Sequence, residues 1–180
     1  MNKAAFLDRD GTINIDKDYL YKADDFEYLP GAVEGIRKLQ EKGYYLIVVT
    51  NQSGIARGYY SEDDYLALDR WMKEDLASKG VRITASYYCP HLPDAPVSAY
   101  AKECECRKPK LGLYYRAAKE WDIDIDSSIA VGDRIRDLFI CEKTGCKGVL
   151  ISDKDQDLPE GTIRVGDWND LINKMDSFGL

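Results

Sequence analysis

Several things are scarce in this chain, and each scarcity narrows what it can do. Across 180 residues no apolar run approaches the roughly 20 residues of a membrane-spanning helix. The start, MNKAAFLDRDG, carries no apolar export segment, so a cytoplasmic location is expected. Positive charge is short: 25 Lys and Arg against 32 Asp and Glu give a net charge of −7. A phosphate backbone needs a basic face, so a general nucleic-acid binder is disfavoured and a small anionic substrate remains. No repeat or low-complexity stretch occurs. Histidine appears once, at His91, and the five cysteines (Cys89, Cys104, Cys106, Cys141, Cys146) are odd in number. Without an export signal they do not suggest a disulfide framework. One monomeric domain over residues 1–180 is expected, long enough to bury a core.

What is present is an alternation. KAAFLD reads as a first strand and YYLIVVT (Tyr44 to Thr50) as a central one, nearly all apolar. ITASYYC, SIAVGD and GVLI follow as shorter runs. Strands without polar alternation suit a parallel sheet covered on both faces. Between them, PGAVEGIRKLQEKG is bracketed by Pro30 and Gly43, as helix breakers should be. SEDDYLALDRWMKEDLASKG opens with Ser61 and Asp64 at capping-box spacing, and its Tyr65, Leu68, Met72 and Leu76 form one core-facing stripe. LGLYYRAAKEW and RDLFICEKTG predict two more helices. The tail offers a short strand at Ile163 to Val165 and a last helix from Trp168. The pattern is α/β and doubly wound, with its site at the carboxyl ends of the strands. Cys141 and Cys146 read as buried, inert thiols.

The strand ends hold the chemistry. FLDRDGTIN sets Asp8 and Asp10 in a turn opened by Gly11. One carboxylate can attack phosphorus while the other serves as acid and base. VVTNQSG ends the central strand with the Thr50 hydroxyl and a loop of backbone N–H groups, both suited to anionic oxygens. AVGDRIRD supplies Asp133, able to complete an oxygen-ligand Mg²⁺ site with Asp8 and Asp10. Asp137, four residues on, reads partly as a charge complementing a helix N-terminus. Lys108 can neutralise a phosphoryl oxygen. Cys89 and His91, a twelve-residue loop, then Cys104 and Cys106 fit a closed tetrahedral Zn²⁺ site spanning residues 89–106. That loop is too poor in apolar residues to order itself, so metal would supply the order and hold Arg107 and Lys108 over the site.

Together these motifs resemble the haloacid dehalogenase superfamily of phosphatases. The resemblance implies a Rossmann-like fold with no large cap domain and an aspartyl-phosphate formed on Asp8. It also implies Asp10 as general acid and base, and Mg²⁺ held by Asp8, Asp133 and the Asp10 carbonyl. Within the superfamily, DRDGTIN, TNQSGIARG, CPH and CECRKP look like the D-glycero-D-manno-heptose 1,7-bisphosphate 7-phosphatases, from about Phe6 to about Ile151. That likeness places substrate contacts on Asp16, Lys17, Asp18 and Tyr19, on Thr50, Asn51, Gln52 and Ser53, and on Arg107 and Lys108. The substrate would be a small phosphorylated sugar. The related histidinol-phosphate phosphatases share the D-x-D, the zinc ligands and C-R-K-P, but NQSGIARG and the longer zinc loop favour the heptose enzymes. Leu111, where the sugar phosphatases often have Pro, and Arg134, where Lys is frequent, depart from the pattern. A polynucleotide end-phosphatase fits the acidic balance poorly. A zinc-stabilised binding module would not need Asp8, Asp10, Lys108 and Asp133 together.

Overall fold

The computed structural model describes residues 1–180. Its frame is six strands: β1 (Lys3–Leu7), β2 (Tyr44–Asn51), β3 (Ala85–Cys89), β4 (Ile129–Gly132), β5 (Lys147–Ile151) and β6 (Thr162–Val165). They lie in the order β3-β2-β1-β4-β5-β6, every neighbouring pair parallel. Lys3 stands opposite Tyr44 on one side of β1, and Ala5 opposite Ile129 on the other. A strand covered on both faces has no use for polar alternation, and Leu46 to Val49 are all at most 1% exposed.

Four helices provide the cover: α1 (Ala32–Glu41), α2 (Glu62–Ser78), α3 (Gly112–Trp121) and α4 (Trp168–Phe178). Ile36 and Leu39, Met72 and Leu76, and Leu171 and Met175 bring α1, α2 and α4 into one core. On the opposite face Leu113, Tyr114 and Ala117 of α3 pack with Phe6, Ile47 and Leu150. The capping box forms as its spacing predicts: Asp64 N–H donates to the Ser61 hydroxyl at 3.1 Å, and Ser61 N–H donates to the Asp64 carboxylate at 2.8 Å. Neither connection from β1 to α1 nor from β3 to α3 contains a second domain. No helix is long and apolar enough to cross a membrane.

One expected helix is absent. RDLFICEKTG folds as two short 3-10 helices, Ile135–Asp137 and Phe139–Glu142. Its apolar spacing is helical, and Leu138, Ile140 and Cys141 are indeed buried. The bond an α-helix would need, from Cys141 N–H to the Asp137 carbonyl, is displaced by a competitor. The Tyr114 hydroxyl donates to that carbonyl at 2.9 Å, and Cys141 N–H turns to Leu138 O, also at 2.9 Å. The tighter winding fixes Asp137 inward, which matters below.

The last helix braces the first turn. Trp168 is fully buried, its Nε1 donates to Thr12 O at 2.7 Å, and its ring covers Gly35 of α1. A Cβ at Gly35 would stand 2.2 Å from Trp168 Cε3. Gly35→Ala is therefore expected to destabilise by about 1–2 kcal/mol, since overpacking outweighs alanine's better helix propensity. Thermal unfolding measures it, and an unchanged midpoint would show that the ring can shift freely.

Candidate active site

Because the strands are parallel, their carboxyl ends meet at one edge, and the first, second and fourth each deliver polar side chains there. Asp8 follows β1, Thr50 and Asn51 finish β2, and Asp133 follows β4. They open into a cleft of about 290 Å³. Of the residues expected at the site, Asp8, Asp10, Asp16, Asp18, Tyr19, Thr50, Asn51, Gln52, Ser53, Arg107 and Asp133 line it. Two others sit elsewhere. Lys17 is exposed and pairs with Glu27 at 3.1 Å, on a loop where Asp18 and Tyr19 take positive φ values of 50° and 62°. Lys108 is buried and approaches Asp8 without lining the cleft.

The turn after β1 is built for close approach. Gly11 has a φ of 82°, and a Cβ there would lie 2.4 Å from Asp133 Oδ2. Only glycine lets the Asp8 turn and the end of β4 come this near. Asp8 N–H donates to Val131 O at 3.0 Å, locking the two strand ends together.

Lys108 neutralises the floor of the site. Its Nζ lies 2.8 Å from Asp8 Oδ1, 2.7 Å from Asp137 Oδ1 and 2.6 Å from Val49 O. All three groups, Asp8, Asp137 and Lys108, are at most 7% exposed. Burial, followed by the charge of Asp137, pushes the Asp8 carboxyl up to about 7, with Lys108 working against the rise. Burial and Asp137 likewise raise Asp133. Asp137 also accepts Arg134 N–H at 3.0 Å, so it is a structural partner of the site and not merely a helix-end charge.

Asp10 is gripped differently. Arg9 Nε and Nη2, Asn14 Nδ2 and Gln52 Nε2 all donate to its carboxylate, at 2.9–3.2 Å. Gln52 Nε2 also donates to Thr50 Oγ1 at 2.9 Å, and Tyr60 OH donates to Gln52 Oε1.

Two groups of side chains have the composition of metal sites. Carboxylate oxygens of Asp8, Asp133 and Asp137 lie within 4.8 Å of one another. Arg9 balances Asp10 and Lys108 balances one further carboxylate, while Asp133 Oδ1 is buried with no hydrogen-bond partner. The surplus of negative oxygen donors fits a hard divalent cation. The second group is Cys89, His91, Cys104 and Cys106. Its Sγ–Sγ separations are 3.5 Å for Cys89–Cys104, 3.4 Å for Cys104–Cys106 and 2.9 Å for Cys89–Cys106. His91 Nδ1 lies 3.7 Å from Cys89 Sγ and 3.3 Å from Cys106 Sγ. A tetrahedral ion with bonds of about 2.0–2.3 Å separates its donors by roughly 3.3–3.8 Å. All of these separations but the tighter Cys89–Cys106 fall in that range, so the cluster is close to the size of a soft-metal cage.

Four residues of the cleft lining, Tyr60 and three arginines, carried no expected role, and Asp137 behind them was read partly as a helix-end charge. Arg57, Arg134 and Arg136 line the cleft with Arg107. Arg57 lies inside the TNQSGIARG motif, and Arg134 and Arg136 follow Asp133 in DRIRD; their places beside the motif residues were the only signal.

Removing Lys108 tests the charge balance. Lys108→Met leaves Asp8 and Asp137 facing each other without a cation, and breaking a buried pair in this way costs about 3–5 kcal/mol. A carboxyl whose folded pKa exceeds its unfolded value holds extra protons when folded, so its contribution falls as pH rises. For Asp8 that window runs from 3.8 to about 7 in the native protein. Denaturant unfolding in magnesium-free buffer should show the variant's deficit widening from pH 5 to pH 8. A deficit independent of pH would assign Lys108 a packing role only.

With the geometry in hand, relatives can be compared. Residues 3–154 match the family described as polynucleotide kinase 3 phosphatase. A D-glycero-alpha-D-manno-heptose-1,7-bisphosphate 7-phosphatase of Photorhabdus laumondii is 49% identical over 143 residues, 79% of this chain and 78% of its own. A D-glycero-beta-D-manno-heptose-1,7-bisphosphate 7-phosphatase of Haemophilus influenzae is 50% identical over 138 residues, 77% of this chain and 74% of its own. The crystal structure of a D,D-heptose 1,7-bisphosphate phosphatase from B. bronchiseptica, complexed with magnesium and phosphate, superposes with a TM-score of 0.82 at 33% identity. It covers 97% of this chain and 98% of that one. The D-x-D turn, the parallel sheet and these likenesses agree: the chain belongs to the polynucleotide kinase 3 phosphatase family, within the haloacid dehalogenase superfamily of phosphatases.

Proposed function

We propose that the protein is a Mg²⁺-dependent phosphatase that removes the 7-phosphate of D-glycero-D-manno-heptose 1,7-bisphosphate, a step toward nucleotide-activated heptose. The observation that supports this substrate is a row of unpaired guanidiniums. Arg9, Arg37, Arg116, Arg134 and Arg164 form ion pairs; of the five that do not, Arg70 and Arg82 are exposed on the surface, while Arg57, Arg107 and Arg136 line the cleft. The acids next to Arg107 in the chain are taken instead by Lys110, at 3.6 Å from Glu103 and 3.3 Å from Glu105. Arg107 reaches only His91 O, at 3.3 Å, and burial together with Arg136 lowers its pKa. Arg57 Nε is buried without a partner. Cations held this close without counter-charges suit an anion that arrives with the substrate. A bisphosphate presents one phosphate to Asp8 and a second to the arginines. Histidinol phosphate or a polynucleotide 3′-end has no such distal dianion, and the net charge of −7 further disfavours a nucleic acid.

The chemistry then follows from the chain's own groups. An Asp8 oxygen attacks phosphorus, forming an O–P bond as the bond from phosphorus to the C7 oxygen breaks. Asp10, which enters this half-reaction carrying the proton it took from water in the preceding turnover, gives that proton to the departing oxygen. In the second half, Asp10 takes a proton from water, whose oxygen attacks phosphorus. The O–P bond to Asp8 breaks, the carboxylate is restored and phosphate leaves. Thr50 Oγ1 accepts from Gln52 and donates only at a long 3.5 Å to Asn51 O, a contact it can exchange for a phosphoryl oxygen. Lys108 keeps Asp8 in place and balances charge from below. Mg²⁺, held by Asp8 and Asp133 with the Asp10 carbonyl, would supply positive charge to the phosphoryl oxygens.

Side-by-side kcat/KM on the heptose bisphosphate and histidinol phosphate tests the assignment, with the bisphosphate expected to win. Arg107→Ala should weaken bisphosphate turnover by about one to a few kcal/mol, the scale of a lost charge-assisted contact, and change a small monophosphate far less. Equal losses on both would mean that Arg107 serves the reacting phosphate or the fold.

Zinc is the second part of the proposal. Cys89, His91, Cys104 and Cys106 would hold one Zn²⁺ that orders residues 89–106 and does no chemistry, because all four positions are filled by protein. Protein purified without chelator should retain one zinc per chain after dialysis, and Cys104→Ser should lower both zinc content and thermal stability. Metal analysis finding none would remove the structural ion from this reading.

A further inference from the structure

Arg9 lies between the two aspartates of the D-x-D turn and yet does not line the cleft. Its side chain is 1% exposed. The turn explains the direction. Thr12 and Ile13 N–H groups donate to Arg9 O at 3.1 and 2.8 Å, curling the backbone so that neighbouring side chains share one side. Arg9 Nε and Nη2 then donate to Asp10 Oδ1 at 3.2 and 3.0 Å, and Nη2 reaches Oδ2 at 2.9 Å. Nη2 also donates to Leu20 O at 3.0 Å, and the guanidinium carbon stands 5.7 Å from the centre of the Tyr65 ring.

A buried guanidinium is unfavourable unless something needs its charge or its shape. The shape is what Asp10 uses. The other two donors each hold a single oxygen: Asn14 Nδ2 takes Oδ1 at 3.0 Å and Gln52 Nε2 takes Oδ2 at 3.1 Å. Neither can stop the carboxyl from turning about its last bond, a torsion that is soft for aspartate. The planar fork touches both oxygens and can.

We infer that Arg9 is a positioning residue for catalysis: its fork fixes the Asp10 carboxyl in the orientation from which it protonates the leaving oxygen. The inference rests on the proposed role of Asp10 as the acid. It separates from a purely structural role through the leaving group. A departing sugar alkoxide needs a proton in the transition state, whereas nitrophenolate is stable enough to leave without one. The ratio kcat/KM extends only to the first irreversible step, formation of the aspartyl-phosphate, so the later use of Asp10 on water does not enter it.

The experiment compares kcat/KM for a primary alkyl sugar phosphate and for 4-nitrophenyl phosphate in the native enzyme, Arg9→Met, Arg9→Lys and Asp10→Asn. Asp10→Asn sets the scale of a lost proton donor. Arg9→Met is expected to lose roughly 100-fold on the sugar ester and under about fivefold on the aryl ester, as befits a misplaced general acid. Arg9→Lys keeps the charge but has no fork, so its selective loss should fall between. It decides the matter alone if the methionine variant does not fold. Equal losses on the two esters in the Arg9 variants, beside a selective loss in Asp10→Asn, would overturn this proposal alone. Equal losses in Asp10→Asn would overturn the acid role of Asp10, and this inference with it.

Discussion

A single buried ammonium organises this protein. Lys108 Nζ sits between Asp8 and Asp137 and donates to Val49 O, so one charge ties together the ends of β1 and β2 and the segment after β4. Its backbone is held as tightly as its head. Asn51 Oδ1 accepts Lys108 N–H at 3.0 Å, and Asn51 Nδ2 donates to Lys108 O at 3.1 Å. The long connection from β3 is thereby pinned to the sheet two residues after the last ligand of the cysteine cluster. Without the ammonium, two carboxylates close together in a low-dielectric interior could not both stay ionised. The nucleophile's charge and the convergence of three strands depend on the same contact.

The charge arrangement is layered. Each acid proposed to act near phosphorus has a dedicated cation behind it: Lys108 behind Asp8, Arg9 behind Asp10. Asp133 is held at 3.1 Å only by the half-exposed Arg134, and one of its oxygens is left without a partner. That is where a divalent ion finds room in the electrostatic balance. The protein stays negative overall, and its cleft lining mixes the four arginines with Asp16 and Asp18, which no cation pairs. The family's description speaks of polynucleotides, but a surface of this sign gives an extended phosphate backbone little to hold.

How much of this could be read from the sequence depends on whether a residue's role has a local cause. The four inner strands β1, β2, β4 and β5 were legible because a strand covered on both faces must be apolar throughout, and Asp8 and Asp133 were legible because they end such runs. The stretch Ile135–Glu142 was misread as a helix because its spacing is helical, while the Tyr114 hydroxyl that diverts its backbone comes from another helix altogether. Asp137 was underrated for the same reason: its partner Lys108 is distant in sequence. Lys17 looked equivalent to its neighbours Asp16 and Asp18, yet its place in the bend, against Glu27, turns it out of the cleft. Arg57 stood inside TNQSGIARG and Arg136 just past Asp133, yet neither was marked as a site residue, since an arginine in a loop is ordinary until its missing counter-charge is seen.

The arginine rim has a kinetic consequence. Hydrolysis at one end of a bisphosphate leaves the anion at the other end untouched, so the product departs from the same grip that received the substrate. Each factor of ten in that grip, about 1.4 kcal/mol, is a factor of ten in residence time for the spent sugar if its arrival rate is unchanged. Three guanidiniums that also repel one another soften this hold. Burial first, and then the neighbouring charge of Arg136, lowers the pKa of Arg107, so the guanidinium is least comfortable with the site empty and an incoming dianion would relieve it. Recognition and release are thus set against each other in one patch of surface, and the rim's mutual repulsion limits how far recognition can be strengthened before product exit governs turnover.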